Sequence, residues 1–313
     1  MNAIARDLAT GDDRTTVSLP ALIALRDRVG RARVMPVASR AARGGQHATR
    51  LFGRGMDYAE SRVYQAGDDV RRLDWRLTAR SGKLHTKLFQ EDRESSTLIM
   101  LDTHASMRFG TRVRFKSVQA AHLAAALAWR TAQAGERIGM VGFGSGTDQV
   151  LRPLGGTRGA LAVCGALAKW DGAAPAAGGE AWSSALRRAR HLLQTASCVV
   201  LISDGFSCDA AAQTPLRELA RRGALSLVLV ADVLELEAPL AGSYPLESQG
   251  KRGLVNLRSP SRQQEFLQVL GVGAARLRAK AEALGLPCVQ VDVAADGCAA
   301  SARILRSGRR QPR

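Results

Sequence analysis

Two apolar runs that each end in an aspartate constrain this chain more than any other feature. In the first, Ser96 to Met107 (STLIMLDTHASM), residues Thr97 to Leu101 are apolar or β-branched without alternation and run straight into Asp102. A strand with no polar side is buried on both faces, which is how a strand in the middle of a parallel sheet reads. The second run, Cys198 to Ser203 (CVVLIS), is followed by Asp204 and Gly205. In open α/β sheets ligands sit just beyond the carboxyl ends of the strands, so both aspartates stand where a site is built. Either one taken alone also fits a plainer role, capping the helix that follows. As a pair, with hydroxyls beside them, they suit a hard divalent cation.

The rest of the pattern alternates helix and strand. A short helix is expected from Ser18 or Pro20, with Leu22, Leu25 and Val29 at helical spacing. After Met107 come a helix at 115–134, strands at 137–143 and 149–154, and helices at 159–170 and 181–193. Beyond Ser203 follow a helix at 215–222, a strand at 225–231, a helix at 261–284 and a last strand at 286–293. Such alternation implies an α/β fold with a doubly wound, mostly parallel sheet. Residues 232–260, punctuated by Pro239, Pro245 and Gly250, read as an irregular insertion, and 171–179 as a Gly/Ala/Pro linker. The expected organisation is a disordered N-terminus (1–17), then a helix, arm and charged segment (18–95), the α/β domain (96–294) and a basic flexible tail (295–313).

Composition narrows the function classes. No apolar run in the 313 residues approaches the ~20 needed to span a bilayer, and the first residues lack a secretory apolar core, so a cytoplasmic protein is expected. Five scattered cysteines without a CxxC argue against a disulfide framework or a zinc ribbon. The net charge of +17 permits binding to nucleic acid or to an anionic surface. With three Tyr, four Trp and seven Phe, stacking platforms are scarce, which argues against specific nucleic-acid recognition.

Between Gly55 and Glu94 opposite charges crowd together, among them Asp68, Asp69, Arg71, Asp74 and Arg80, with Trp75 in their midst. Guanidinium forks there could pair with carboxylates and pack on the indole. The segment reads equally as a salt-bridged structural platform and as a docking surface. Taken with LIMLDTHASM, it closely resembles a bacterial domain-of-unknown-function family, number fifty-eight. Members carry a stretch like YxPGDDxRxIDWxxxARxGxLxxxxFxxER and then a strand ending in Asp-x-Ser-x-Ser-Met. The matching residues here are Tyr64, Gly67, Asp68, Asp69, Arg71, Asp74, Trp75, Ala79, Arg80, Gly82, Leu84, Phe89, Glu91 and Arg93, and the resemblance runs from about residue 40 to 293. It implies a von Willebrand factor A-like fold, a MoxR-type AAA+ ATPase as partner, and no established enzymatic activity.

The resemblance also implies a metal ion-dependent adhesion site, in which an Asp-x-Ser-x-Ser loop, a Thr and a further Asp hold Mg2+ and leave one position for a partner's carboxylate. Asp102, Ser106 and Asp204 match that pattern, whereas His104 stands where the first Ser belongs. The loop that should bring Thr reads Gly178-Gly179-Glu180-Ala181. The cofactor expected is therefore Mg2+ or another divalent cation, an imidazole favouring Zn2+ or Mn2+, or none, with His104 bonded to Asp102 instead. The leading expectation is a non-catalytic adaptor acting with the ATPase through this degenerate site. One alternative is a metal-dependent hydrolase with Asp102 as nucleophile. Another is a basic scaffold on nucleic acid or membrane surfaces. GxSxG, Walker A and HExxH motifs are absent.

Overall fold

The computed structural model describes residues 14–29, 56–91, 95–144, 149–171, 179–193, 197–248 and 251–308. Residues 1–13 of the expected disordered start (1–17), the arm (31–54), most of the linker (172–178) and the last residues (309–313) lie outside them, whereas 14–17 are held by Phe115 N donating to Arg14 O and Val17 N donating to Asp171 Oδ2, both at 2.8 Å. The chain divides into two compact units, Met1–Val37 with Ser95–Arg313, and Ala38–Glu94. Helix α1 (Leu19–Val29) belongs to the first. The second holds β1 (Met56–Val63), α2 (Trp75–Ser81) and β2 (His85–Glu91), the two strands pairing antiparallel.

The first unit then alternates through β3 (Ser96–Asp102), α3 (Lys116–Gln133), β4 (Arg137–Phe143), β5 (Gln149–Gly155), α4 (Gly156–Asp171), α5 (Trp182–Arg190), β6 (Ser197–Ser203), α6 (Gln213–Arg222) and β7 (Ala224–Ala231). It ends with α7 (Val233–Leu236), the hairpin β8 (Ser243–Ser248) and β9 (Lys251–Asn256), α8 (Pro260–Leu270), α9 (Val272–Leu284), β10 (Cys288–Asp292) and α10 (Gly297–Gly308). Six strands form one sheet in the order β10-β7-β6-β3-β4-β5, parallel except for β5.

All seven residues of β3 are buried, and alternate side chains feed two cores. Ile99, Leu101, Val200 and Ile202 pack with α1, α3, α4 and α10. Leu98, Met100, Val199 and Leu201 pack with α5, α6 and α9. Each such side chain contributes about 1.5–3 kcal/mol, which is why central strands tolerate no polar side. The α/β fold with a mostly parallel, doubly wound sheet is thus present. Among the described residues no helix is long and apolar enough to cross a membrane.

Four stretches differ from expectation. Helix α1 packs with the sheet unit, because Leu22, Leu25 and Val29 are buried and Trp129 Nε1 donates to Leu22 O at 3.0 Å. Residues 232–260 are ordered: Asp232 and Glu235 form a reciprocal capping box on α7, and Ser243↔Asn256 to Ser248↔Lys251 pair as a hairpin. The single helix expected at 261–284 is two, parted at Gly271, where a Cβ would meet the carbonyl oxygens of Glu235 and Leu267 at 2.7 Å. Residues 297–308 of the expected flexible tail form α10, which buries Ile304 and Leu305 and supplies Ser301 Oγ and Cys298 O to the buried guanidinium of Arg130.

Candidate functional site

Asp102 ends β3 next to Ser203, the last residue of the neighbouring β6. Its side chain has no exposure, and a carboxylate held so deep must be hydrogen-bonded. Oδ2 accepts from Ser203 Oγ and Ser207 Oγ, both at 2.6 Å. Oδ1 accepts from His104 N at 3.0 Å and faces His104 Nδ1 at 2.7 Å. Burial opposes ionisation of Asp102, but the His104 bond and charge and the two serine hydroxyls outweigh it and hold the carboxyl below its ordinary 3.8. Burial likewise pulls the His104 imidazole down. The Asp102 bond and charge, joined by the charges of Asp204 and Glu180, outweigh that and raise it above 6.5.

Asp204 is turned elsewhere. Its Oδ2 accepts from Lys116 Nζ at 2.8 Å and its Oδ1 from Phe206 N at 3.0 Å. The same ammonium donates to Glu235 Oε1 at 2.5 Å and lies between the rings of Phe109 and Phe206, 5.4 and 5.3 Å from their centroids. Lys116 is 1% exposed. It opens α3, and a cation in a helix's first turn works against the helix dipole unless an acid answers it. That mismatch is the signal by which a sequence reading could have found Lys116, and it passes unnoticed without the structure.

Ser106 lies in the turn Ala105–Met107, its Oγ buried with no hydrogen-bond partner. Glu180 pairs with Arg188, and Ser183 N donates to Asp209. Behind His104 the backbone comes very close. Gly144 has φ +110°, and a Cβ there would meet His104 Nδ1 at 2.4 Å and His104 N at 2.7 Å. A Cβ on Gly179 would lie 1.7 Å from Gly144 O, so only glycines admit these two loops beside the imidazole. In front is a small cleft with a volume of about 40 Å3, lined among others by Asp102, His104, Met107, Arg108 and Trp170. Arg108 crosses it, donating to Asp171 O at 2.7 Å.

The structure therefore brings Asp102, His104, Ser106 and Asp204 to one end of the sheet but commits their donors to different partners. Only the Ser106 oxygen is uncommitted, while both Asp102 oxygens hold two bonds each and Asp204 holds an ammonium. As arranged, the set does not fit the oxygen shell of a hard divalent cation.

In the second unit the charged segment combines ion pairs, Arg62 with Asp68 and Arg72 with Asp69, with helix and turn caps. Asp74 caps α2 through Leu77 N at 3.1 Å and accepts from Ser61 Oγ at 2.7 Å. Asp69 caps the turn Val70–Arg72 through Arg71 N. Asp68 accepts from Arg62 at 2.7 Å and from Gln65 N at 3.0 Å. Arg71, Trp75 and Arg80 point into solvent.

The uncharacterized protein Rv1480 of Mycobacterium tuberculosis and the uncharacterized protein Mb1516 of Mycobacterium bovis are each 29% identical to this chain over 288 residues, covering 85% of it and 84% of their own length. Among solved structures, an aerotolerance-related membrane protein from Bacteroides fragilis is similar with a TM-score of 0.43 and 14% identity, over 69% of this chain and 100% of that one. BatB from Bacteroides thetaiotaomicron gives 0.41 and 16%, with the same coverage. Residues 60–268 match the model of the family described as protein of unknown function DUF58, and to that family the chain belongs.

Proposed function

We propose that this protein is a non-catalytic, von Willebrand factor A-like adaptor that engages an acidic segment of a MoxR-type AAA+ ATPase at its strand-tip cleft. The observation that carries the reading is the way Asp102 is held. Its two oxygens are closed off by four hydrogen bonds, and of the two residues of the pair that line the cleft it is His104 whose side chain is exposed, at 19% against 0% for Asp102. In an adhesion site the ion attracts the partner's carboxylate. Here an imidazole backed by Asp102, with Arg108 beside it, offers that attraction through charge-assisted hydrogen bonds. The choice of a MoxR-type ATPase rests on the family.

The hydrolase alternative needs Asp102 as a nucleophile, with an exposed carboxylate and a free lone pair. The buried, fully bonded Asp102 supports the adaptor instead. The scaffold alternative rests on net charge alone.

The test is capture of a MoxR-type ATPase from the same genome by the full-length chain, measured by calorimetry. His104→Ala and Arg108→Ala should each weaken capture about tenfold while the domain stays folded by circular dichroism, the His104 change lowering the melting temperature by what its bond to Asp102 contributes. Wild type should not turn over phosphate esters in Mg2+ or Mn2+. Turnover that Asp102→Asn abolishes would establish the hydrolase, and capture indifferent to both substitutions would remove the cleft from the mechanism.

A further inference from the structure

Helix α2 has two different sides. Leu77 and Thr78 are half-buried, with Leu77 N on the Asp74 cap and Thr78 Oγ1 accepting from His85 N at 3.0 Å. Positions 75, 76, 79 and 80 share the opposite side by helical spacing. They are Trp75, Arg76, Ala79 and Arg80, all exposed, the indole at 67%. Val70, 60% exposed, and Arg71 lead into this face, and Lys83 follows it.

The charges divide unevenly. Asp68, Asp69 and Asp74 are engaged within the unit, on Arg62, on Arg71 N and on the α2 cap. The side chains of Arg71, Arg76, Arg80 and Lys83 have no partner among the described residues. A single exposed apolar residue needs no explanation. A tryptophan beside unpaired guanidinium groups has the composition of an interface hot spot.

We infer that this face of the 38–94 unit is a docking surface for an acidic peptide segment of a partner protein that carries an apolar anchor. Carboxylates would meet Arg71, Arg76, Arg80 and Lys83, and an apolar side chain would cover Trp75 and Val70. A second copy of the chain would present the same four cations and be repelled. Single-stranded nucleic acid stacks on successive rings, whereas this face has one ring and an aliphatic neighbour. The inference stands independently of the strand-tip cleft.

The test uses the full chain and three fluorescein-labelled probes: a peptide of alternating Glu and Leu, its Gln-for-Glu twin, and oligothymidine. In fluorescence anisotropy the acidic peptide should bind at least tenfold more tightly than its twin and weaken with salt. Trp75→Ala and the pair Arg76→Glu/Arg80→Glu should each cost at least tenfold with the melting temperature unchanged. Arg221→Glu/Arg222→Glu on α6, the same charge change elsewhere, should cost nothing. Equal binding of the Gln twin, or insensitivity to the α2 variants, would overturn the proposal. So would oligothymidine binding lost in those variants, or a melting temperature lowered by Trp75→Ala, which would mean the ring packs within the protein.

Discussion

Lys116 Nζ lies 2.8 Å from Asp204 Oδ2 where both side chains are out of water, at 1% and 0% exposure. The acid just beyond β6 therefore holds a cation belonging to the chain itself, and Glu235 shares it. Burial raises Glu235 against the pull of Lys116, so the two acids depend on one ammonium. Lys116→Met removes it and leaves two buried carboxylates facing each other. The expected loss is about 3–5 kcal/mol in urea unfolding. A loss below ~1 kcal/mol would show that the acids find other partners.

The same pair bears on metal binding. His104→Ser restores the hydroxyl of the adhesion-site pattern and frees Asp102 Oδ1, but Lys116 still occupies Asp204. Calorimetry with Mg2+ should therefore detect no more binding to His104→Ser than to wild type. Exchanging EDTA for millimolar Mg2+ should leave the wild-type melting temperature where it was. A rise of several degrees would mean that the strand tip takes an ion and that Lys116 gives way to it.

The Asp102–His104 pair sets a pH window. The folded state raises His104 above 6.5, so this contribution is complete below pH 6.5 and is lost as pH climbs through the raised value. Asp102 is lowered below 3.8, so its contribution is complete above pH 3.8 and is lost as pH falls through the lowered value. The melting temperature should thus decline on the alkaline side of 6.5, and His104→Gln should flatten that limb and weaken the acid limb too, because His104 supplies part of what lowers Asp102. An unchanged alkaline limb in His104→Gln would assign the decline to another group.

Gly144 fixes where His104 stands. Alanine there would combine a left-handed backbone with a Cβ 2.7 Å from His104 N, a backbone atom that has no room to yield. Gly144→Ala should cost about 1–3 kcal/mol and shift the His104 ring signals in NMR. A stable variant with unshifted imidazole resonances would show that the loop relaxes freely.

What the sequence discloses here follows burial. Asp102 and Asp204 are legible as strand tips because nothing polar interrupts Thr97–Leu101 or Val199–Ile202, and a run without alternation has one comfortable place in a fold. Lys116 shows in sequence only as a cation opening a helix, because its acids arrive from just beyond β6 and from α7, far along the chain. Ser203 and Ser207 are missed as Asp102 partners because that bond exists only once β6 pairs with β3. Helix α10 is masked by the arginines around it, although Ile304 and Leu305 beside Ala300 and Ser301 supply a buried stripe. In the 38–94 unit the charge pattern suggests ion pairs, and Asp68 and Asp69 do pair with Arg62 and Arg72, but the aspartates also serve backbone N–H groups, whose needs the side-chain pattern does not display.

That last difference separates two residues that look equivalent in sequence. Asp74 accepts from Leu77 N and Ser61 Oγ and so fixes both the start of α2 and its approach to β1, and the Ser61 and Leu77 bonds hold its carboxyl below the ordinary range. Arg80 is exposed on the far side of the same helix, with no partner among the described residues. Removing an N-cap exposes helix N–H groups that only water can then satisfy. Removing a solvated guanidinium disturbs nothing in the fold. Asp74→Ala should therefore lower the melting temperature and speed proteolysis within 56–91, and Asp74→Asn, which keeps a capping oxygen, should recover most of the loss. Arg80→Ala should leave both measurements at wild type while weakening the acidic peptide. If Arg80→Ala destabilises as much as Asp74→Ala, Arg80 holds the fold together, and the docking role assigned to this face fails with it.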